Sequence, residues 1–293
     1  MAKTLIVIVG PTAIGKTALA IELAKYHQTE IISADSRQFY IEMNIGTAKP
    51  SAEELASVKH HFIGSHSITE DFTVGDFEIQ SLELLDQIFK KHDFAVLVGG
   101  SGLYIDAVCR GFDDLPKASV ALREQLNQDL IDKGIAHLQD QLQRLDPVYF
   151  SEVDIYNPQR IIRALEVSIA TGKPFSSYRT KPEKTRPFRC VKIGLNTSRQ
   201  QLYDRINHRV DQMIQRGLFD EVRRLIPYRH LNALNTVGYT ELFNYFDGKL
   251  TEQEAIAKIK QNTRRFAKRQ LTWFRKDPTI TWFEPGEDVG NVI

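Results

Sequence analysis

An unbroken apolar run, Leu5-Ile6-Val7-Ile8-Val9, opens straight into Gly10-Pro11-Thr12-Ala13-Ile14-Gly15-Lys16-Thr17, and then into Ala18-Leu19-Ala20-Ile21-Glu22-Leu23-Ala24. The run never alternates with polar residues, which predicts a strand covered on both faces, hence a parallel sheet with helices on either side. The octet fits G-x-x-x-x-G-K-[ST], and strand, glycine-rich turn and helix is the context that makes the pattern a phosphate loop. Its backbone N–H groups and the helix N-terminus form an anion cradle. Lys16 is expected to reach the outer phosphate, and Thr17 to offer a hydroxyl to Mg²⁺. The loop leaves open whether the anion belongs to a nucleotide such as ATP.

The strand-helix alternation continues. Glu30 to Ala34 reads as a second strand ending at Asp35-Ser36, Phe77 to Lys91 as a helix, and Phe94 to Val98 as a third strand ending in Gly99-Gly100-Ser101-Gly102. From about Phe112 to Arg189 helical spacing replaces strands, closing in a Pro- and Lys-rich stretch from Lys173-Pro174 to Arg186-Pro187. Strand character returns at Cys190–Leu195, and residues 198–275 read as mostly helical. The organisation expected is an α/β core of residues 1–111 and 190–293, interrupted by a helical insertion, 112–189.

Open parallel sheets bind ligands outside the carboxyl ends of their strands. That puts Asp35 and Ser101 beside the phosphate loop. Asp35 suits a Mg²⁺ ligand, a general base, or a plain Asx turn at a strand exit. The third strand ends in Gly-Gly-Ser and offers no carboxylate, which weakens a plain ATPase reading. Arg205 and Arg209 lie one helical turn apart and suit either a lid over phosphates or an exposed basic pair. His60-His61 and His66 lack the spacing of a metal site.

Net charge is +1 and charged residues make up 26% of the 293, ordinary for a globular chain. No segment approaches the ~20 apolar residues that span a bilayer. Cys109 and Cys190 show no metal or disulfide spacing, and no signal peptide precedes the first strand, so a cytoplasmic protein is expected. Residues 258–276 hold Lys258, Lys260, Arg264, Arg265, Lys268, Arg269, Arg275 and Lys276 without an acidic residue, interleaved with Phe266, Trp273 and Phe274. That pattern suits a solvated helix face or a nucleic-acid backbone with unstacked bases.

Together these blocks resemble the bacterial tRNA dimethylallyltransferases (tRNA isopentenyltransferases). The resemblance rests on the phosphate loop, Ser33-Ala34-Asp35-Ser36-Arg37-Gln38-x-Tyr40 and Asn44-Ile45-Gly46-Thr47-Ala48-Lys49-Pro50. It continues through Val98 to Tyr104, Asn157 to Glu166, Thr236 to Tyr239 and Lys268 to Phe274. The motifs run in order over nearly the whole chain. The resemblance implies transfer of a dimethylallyl group from dimethylallyl diphosphate to N6 of adenine 37 in tRNA. Gly10, Pro11, Thr12, Ala13, Ile14, Gly15, Lys16 and Thr17 would then cradle the diphosphate with Mg²⁺, aided by Arg205 rather than Arg209. Asp35 would take the N6 proton, and Ser101, where many relatives have Thr, would bond to the adenine. Asp35, Ser36, Arg37, Gln38, Ser101, Arg123, Gln159, Arg160, Ile161, Ile162 and Arg163 would contact the tRNA anticodon stem-loop. So would Lys268 and Arg269, with the insertion and the basic C-terminal helix straddling the stem-loop. With no cysteine after Cys190, the chain resembles the compact bacterial form that lacks a C-terminal zinc finger, and it is expected to be a monomer. Two competing readings stay open: a small-molecule kinase with an arginine lid, and a nucleic-acid-binding protein using a phosphate-loop scaffold.

Overall fold

The computed structural model describes residues 3–113, 115–116, 118–179 and 184–293. Met1-Ala2 and residues 180–183 of the Pro- and Lys-rich stretch lie outside the described residues. The chain forms two compact units: the stretch up to Cys109 together with Thr185–Ile293, and Arg110–Lys184. The insertion thus ends before the Arg189 read from sequence. The reason is Arg186, which donates to the Glu78 carboxylate at 2.7 Å and to the carbonyls of Val108 and Ala107, all in the first unit.

The first unit is built on a six-stranded, wholly parallel sheet. Its strands are β1 (Thr4–Val9), β2 (Ile31–Ser33), β3 (His60–His61), β4 (Phe94–Val98), β5 (Arg189–Leu195) and β6 (Ile280–Phe283), in spatial order β3-β2-β4-β1-β5-β6. β1 is central and fully buried. Leu5, Val7 and Val9 pack with Phe77, Leu85 and Val108 on one face, while Ile6 and Ile8 pack with Ala20, Leu23 and Ala24 on the other. Each such residue contributes roughly 1.5–3 kcal/mol by leaving water. The helices supplying those partners are α1 (Lys16–Tyr26), α3 (Val74–Phe89) and α4 (Gly102–Arg110); the short α2 (Ala52–Ser57) precedes β3. The edge strands β3 and β6 are short, and neither was expected from sequence.

The second unit holds α5 (Val120–Leu145), α6 (Pro147–Glu152) and α7 (Pro158–Thr171), with no strand among its described residues. α5 breaks at Gly134 into two helical pieces. Leu126, Leu138 and Leu142 of α5 close on Ile161, Ile162 and Leu165 of α7. Buried Asp146 caps α6 and accepts bonds from both the amide and hydroxyl of Ser176.

After β5 the first unit continues with α8 (Arg199–Gln215), α9 (Leu218–Arg224), α10 (Tyr239–Phe246) and α11 (Glu252–Phe274). These helices share a core centred on Tyr239, which is fully buried, with its phenol driven strongly upward in pKa by burial and by Glu221 beside it. Glu221 is also buried, and accepts from Tyr239 Oη at 2.7 Å and from the backbone amides of Asn44, Ile45 and Gly46 at 2.7–3.0 Å. One carboxylate thereby fastens the 44–50 loop to the helices. Glu221→Ala strands those donors, each worth roughly 1–3 kcal/mol when buried without a partner. The expected loss is about 3 kcal/mol or more, seen as a melting temperature lower by ~6–12 °C in thermal denaturation. Among the described residues no helix is long and apolar enough to cross a membrane.

Candidate active site

The loops leaving β1, β2 and β4 meet at the carboxyl edge of the sheet. The phosphate loop departs from ordinary backbone geometry: Gly10 has φ +143°, Ala13 +66° and Gly15 +109°. A side chain on Gly10 would stand 2.5 Å from the Leu195 carbonyl, so glycine is required there. Left-handed Ala13 costs roughly 1–2 kcal/mol, a strain that persists where the surroundings over-determine it. They do so through several side chains. Gln270 Oε1 accepts from Thr12 N at 2.8 Å, Lys16 Nζ donates to Pro11 O at 2.8 Å, and Arg205 donates to Ile14 O at 3.3 Å. Ala13 and Ile14 also pack on Leu202, Ile206 and Ala267.

Beside the loop lies a cavity of about 360 Å³. Thr12 to Ala18 form one wall, Asp35 and Gln38 a second, Thr47 to Ser51 with His60 a third, and Arg209, Gln212 and Met213 of α8 with Arg216 just past its end the last. Lys16, Lys49, Arg209 and Arg216 set its electrostatics, with the carboxylates of Asp35 and Glu54. Burial, and then the Arg209 guanidinium, lower the Lys16 ammonium to about 7, while Asp35 pulls the other way. Burial also lowers Arg209, again opposed by Asp35. An anion entering here meets donors that are already half-buried. Burial lowers His60 as well; its Nδ1 faces the Val58 carbonyl at 2.8 Å.

Asp35 lines the cavity and also closes an Asx turn, accepting from Arg37 N at 3.0 Å. The Asx turn read from sequence is thus present, with the same residue on the cavity wall. Ser101 Oγ accepts from Ser36 N at 3.1 Å and donates to Ser36 Oγ at 3.2 Å. It braces the turn that carries Asp35. Gln38 donates to the carbonyls of Thr47 and Ala48, and Arg37 to those of Asn232 and Asn235, so both support neighbouring loops.

The structure differs from the sequence expectation at several residues. Arg209, not Arg205, reaches the cavity and touches Thr12 Oγ1 at 3.5 Å; Arg205 sits behind the loop, on a separate depression with Thr197 and Glu284. The height of α8, set by buried Leu202, Ile206 and Val210, decides between two arginines on one helix face. Ile161 and Ile162 are buried in the insertion's core, so their side chains are not a tRNA surface. Arg123 and Arg163 pair with buried Glu166, whereas Gln159 and Arg160 are exposed at the start of α7. Phe274 is core, and Trp273 donates to Asp106 at 2.9 Å. Lys268 and Arg269 are exposed on α11, Arg269 lying 5.7 Å over the Phe266 ring. Sequence reasoning assigned no role to Gln270, although it is a polar residue in step with the buried Ala267 and Phe274 of α11.

Arg209→Ala is expected to raise KM for a phosphate-bearing substrate and lower kcat, together about 10²-fold, in the range of a lost charge-stabilising donor. Arg205→Ala costs at most about tenfold by loosening Ile14. Steady-state kinetics of the two variants checks the ranking.

Residues 38–277 match the family model described as IPP transferase. The chain belongs to the IPP transferase family. It is 56% identical over 293 residues to the tRNA dimethylallyltransferase of Christiangramia forsetii, covering all of this chain and 97% of that one. It is 48% identical to tRNA dimethylallyltransferase 1 of Bacteroides thetaiotaomicron, over 97% of this chain and 92% of that protein. Among solved structures, the tRNA isopentenylpyrophosphate transferase of Bacillus halodurans superposes with a TM-score of 0.70 at 41% identity, covering 96% of this chain and 90% of that one. As an IPP transferase, this chain is a transferase built on a phosphate-loop fold.

Proposed function

We propose that this IPP transferase moves a dimethylallyl group from dimethylallyl diphosphate to N6 of adenine 37 in tRNA, acting as a cytoplasmic monomer. The observation that carries the reading is the single cavity in which Asp35 faces Lys16 and Arg209 across the phosphate loop. The N6 lone pair is delocalised into the purine ring, so the amine is a weak nucleophile. It strengthens as its proton passes to Asp35 while the C–N bond forms, help typically worth ~10²–10⁴-fold. The allylic carbon tolerates positive charge, so its bond to diphosphate breaks early, and the electron pair leaves with the phosphate. Lys16, Arg209 and the loop amides hold that growing negative charge in a recessed site. Ser101 keeps the Asp35 turn in place.

Mg²⁺ ordinarily keeps several waters and takes one or two protein oxygens together with substrate phosphates. Thr17, which lines the cavity and carries a hydroxyl, fits that need, and a bound Mg²⁺ there would add charge neutralisation on the leaving diphosphate.

An adenine stacked in a loop must flip out to reach a recessed site. The exposed Lys268 and Arg269 on α11, and Gln159 and Arg160 on α7, are the side chains offered to tRNA phosphates. Lys268→Ala with Arg269→Ala is expected to weaken tRNA binding and flatten the plot of log affinity against log salt by about 1–2. Filter binding across a salt series checks it, and an unchanged slope would return these residues to a merely solvated face.

The deciding experiment incubates the protein with radiolabelled dimethylallyl diphosphate, Mg²⁺ and unmodified tRNA that reads codons beginning with U. Label in the tRNA is the expected result. Phosphotransfer from ATP without label in the tRNA would favour a kinase.

A further inference from the structure

Gln270 sits near the C-terminal end of α11 and is 6% exposed. Its amide is fully oriented: Oε1 accepts from Thr12 N at 2.8 Å, and Nε2 donates to Gly100 O at 2.9 Å. One partner can only donate and the other only accept, so the amide has a single satisfied orientation. Thr12 belongs to the phosphate loop, and Gly100 to the turn after β4. The contact is close enough that a Cβ on Gly100 would lie 2.1 Å from Nε2. The next residue, Ser101, binds Ser36, which follows Asp35. A continuous bonded path thus runs from the phosphate loop through Gln270 and Ser101 to the carboxylate. An apolar residue would serve equally well for packing α11; only an amide bridges these two loops.

We infer that Gln270 is a positioning residue that sets the spacing between the departing diphosphate and the attacking amine. The inference rests on the proposed prenyl transfer. In that reaction the C–O bond breaks with its electron pair leaving on diphosphate, the N6 pair forms the C–N bond, and the N6 proton goes to Asp35. If the two loops drift apart, diphosphate still leaves, but water takes the place of the amine. Its oxygen bonds to the allylic carbon, its spare proton passes to solvent, and the products are the prenyl alcohol and diphosphate.

The test measures two quantities side by side, label transferred to tRNA and diphosphate released. The wild type is expected to release one diphosphate per transfer. Gln270→Met, close in volume but unable to bridge, is expected to lower kcat by about tenfold or more, as small misplacements do. KM for tRNA stays within about threefold, and diphosphate release exceeds transfer by more than about twofold. Gln270→Glu keeps an acceptor for Thr12 but loses the donor to Gly100, and is expected to show the same excess. It supplies the reading if the Met variant does not fold. Trp273→Phe, which removes the bond from α11 to Asp106 and leaves both bonds of Gln270 in place, is expected to keep the one-to-one ratio. A one-to-one ratio with kcat within about twofold in both Gln270 variants overturns the inference. So does the same excess release in Trp273→Phe, which would make the effect general loosening. A wild type that transfers no label overturns the reaction itself and the inference with it; normal transfer with unaffected Gln270 variants overturns the inference alone.

Discussion

Asp35→Ala slows prenyl transfer to tRNA by about 10²–10⁴-fold, or ~3–5 kcal/mol in the barrier, while tRNA affinity stays within a few-fold. The split follows from position. Asp35 lies on the cavity wall just past β2, with Lys16 and Arg209, and within the turn its carboxylate accepts from Arg37 N. Losing that bond loosens an Asx turn still braced by Ser101, at a cost of about 1 kcal/mol. Losing the proton acceptor leaves the adenine amine to attack unaided. Asp35→Asn separates the two roles, because it can still accept from Arg37 N but cannot take a proton. If the carboxylate is the base, Asn and Ala are equally slow in single-turnover transfer. An Asn variant near wild-type speed would reduce Asp35 to a turn residue.

The parts of this molecule that the sequence announces are those dictated by local pattern. β1, the phosphate loop and α1 follow from an apolar run meeting a glycine-rich octet, and no tertiary contact is needed to read them. The short edge strands escaped notice because pairing, not composition, makes them strands. His60-His61 is a strand only because it lies against Ile31 and Ile32. Site residues divide the same way. Asp35 and Lys16 are legible as strand-end and loop residues. Choosing Arg209 over Arg205 needs the height of α8, which depends on buried contacts far along the chain. Ile161 and Ile162 show the opposite failure: a motif carried over as a block ignored helical periodicity, which turns both inward with Leu165. Gln270 carried a signal, a lone polar residue on the buried stripe of a basic helix, but its partners lie 258 and 170 residues away.

Lys16→Met separates stability from function with opposite signs. The Lys16 ammonium is lowered from its usual value near 10.5 to about 7, chiefly by burial. Between those values the unfolded chain binds the proton that the folded chain has lost, so stability rises with pH across the window and the cost of the charge is greatest below about 7. Removing the amine should therefore raise the stability of the unliganded protein near neutral pH by on the order of a few kcal/mol, giving a melting temperature several degrees higher. The same change removes a donor from the leaving diphosphate and should cut prenyl transfer by roughly 10²–10³-fold. Binding links the two effects. A diphosphate beside Lys16 favours the charged amine, so above about pH 7 the wild type takes up a proton as it binds. Affinity then falls as pH rises, by up to tenfold per unit until the ligand-bound pKa is reached. Calorimetry at pH 8 in two buffers of different ionisation enthalpy should show uptake approaching one proton per diphosphate in the wild type and none from this site in Lys16→Met. Equal uptake in both proteins would move the titrating group elsewhere. A melting temperature that falls in Lys16→Met would show that the buried ammonium stabilises the loop it crosses, by its bond to Pro11, more than its desolvation costs.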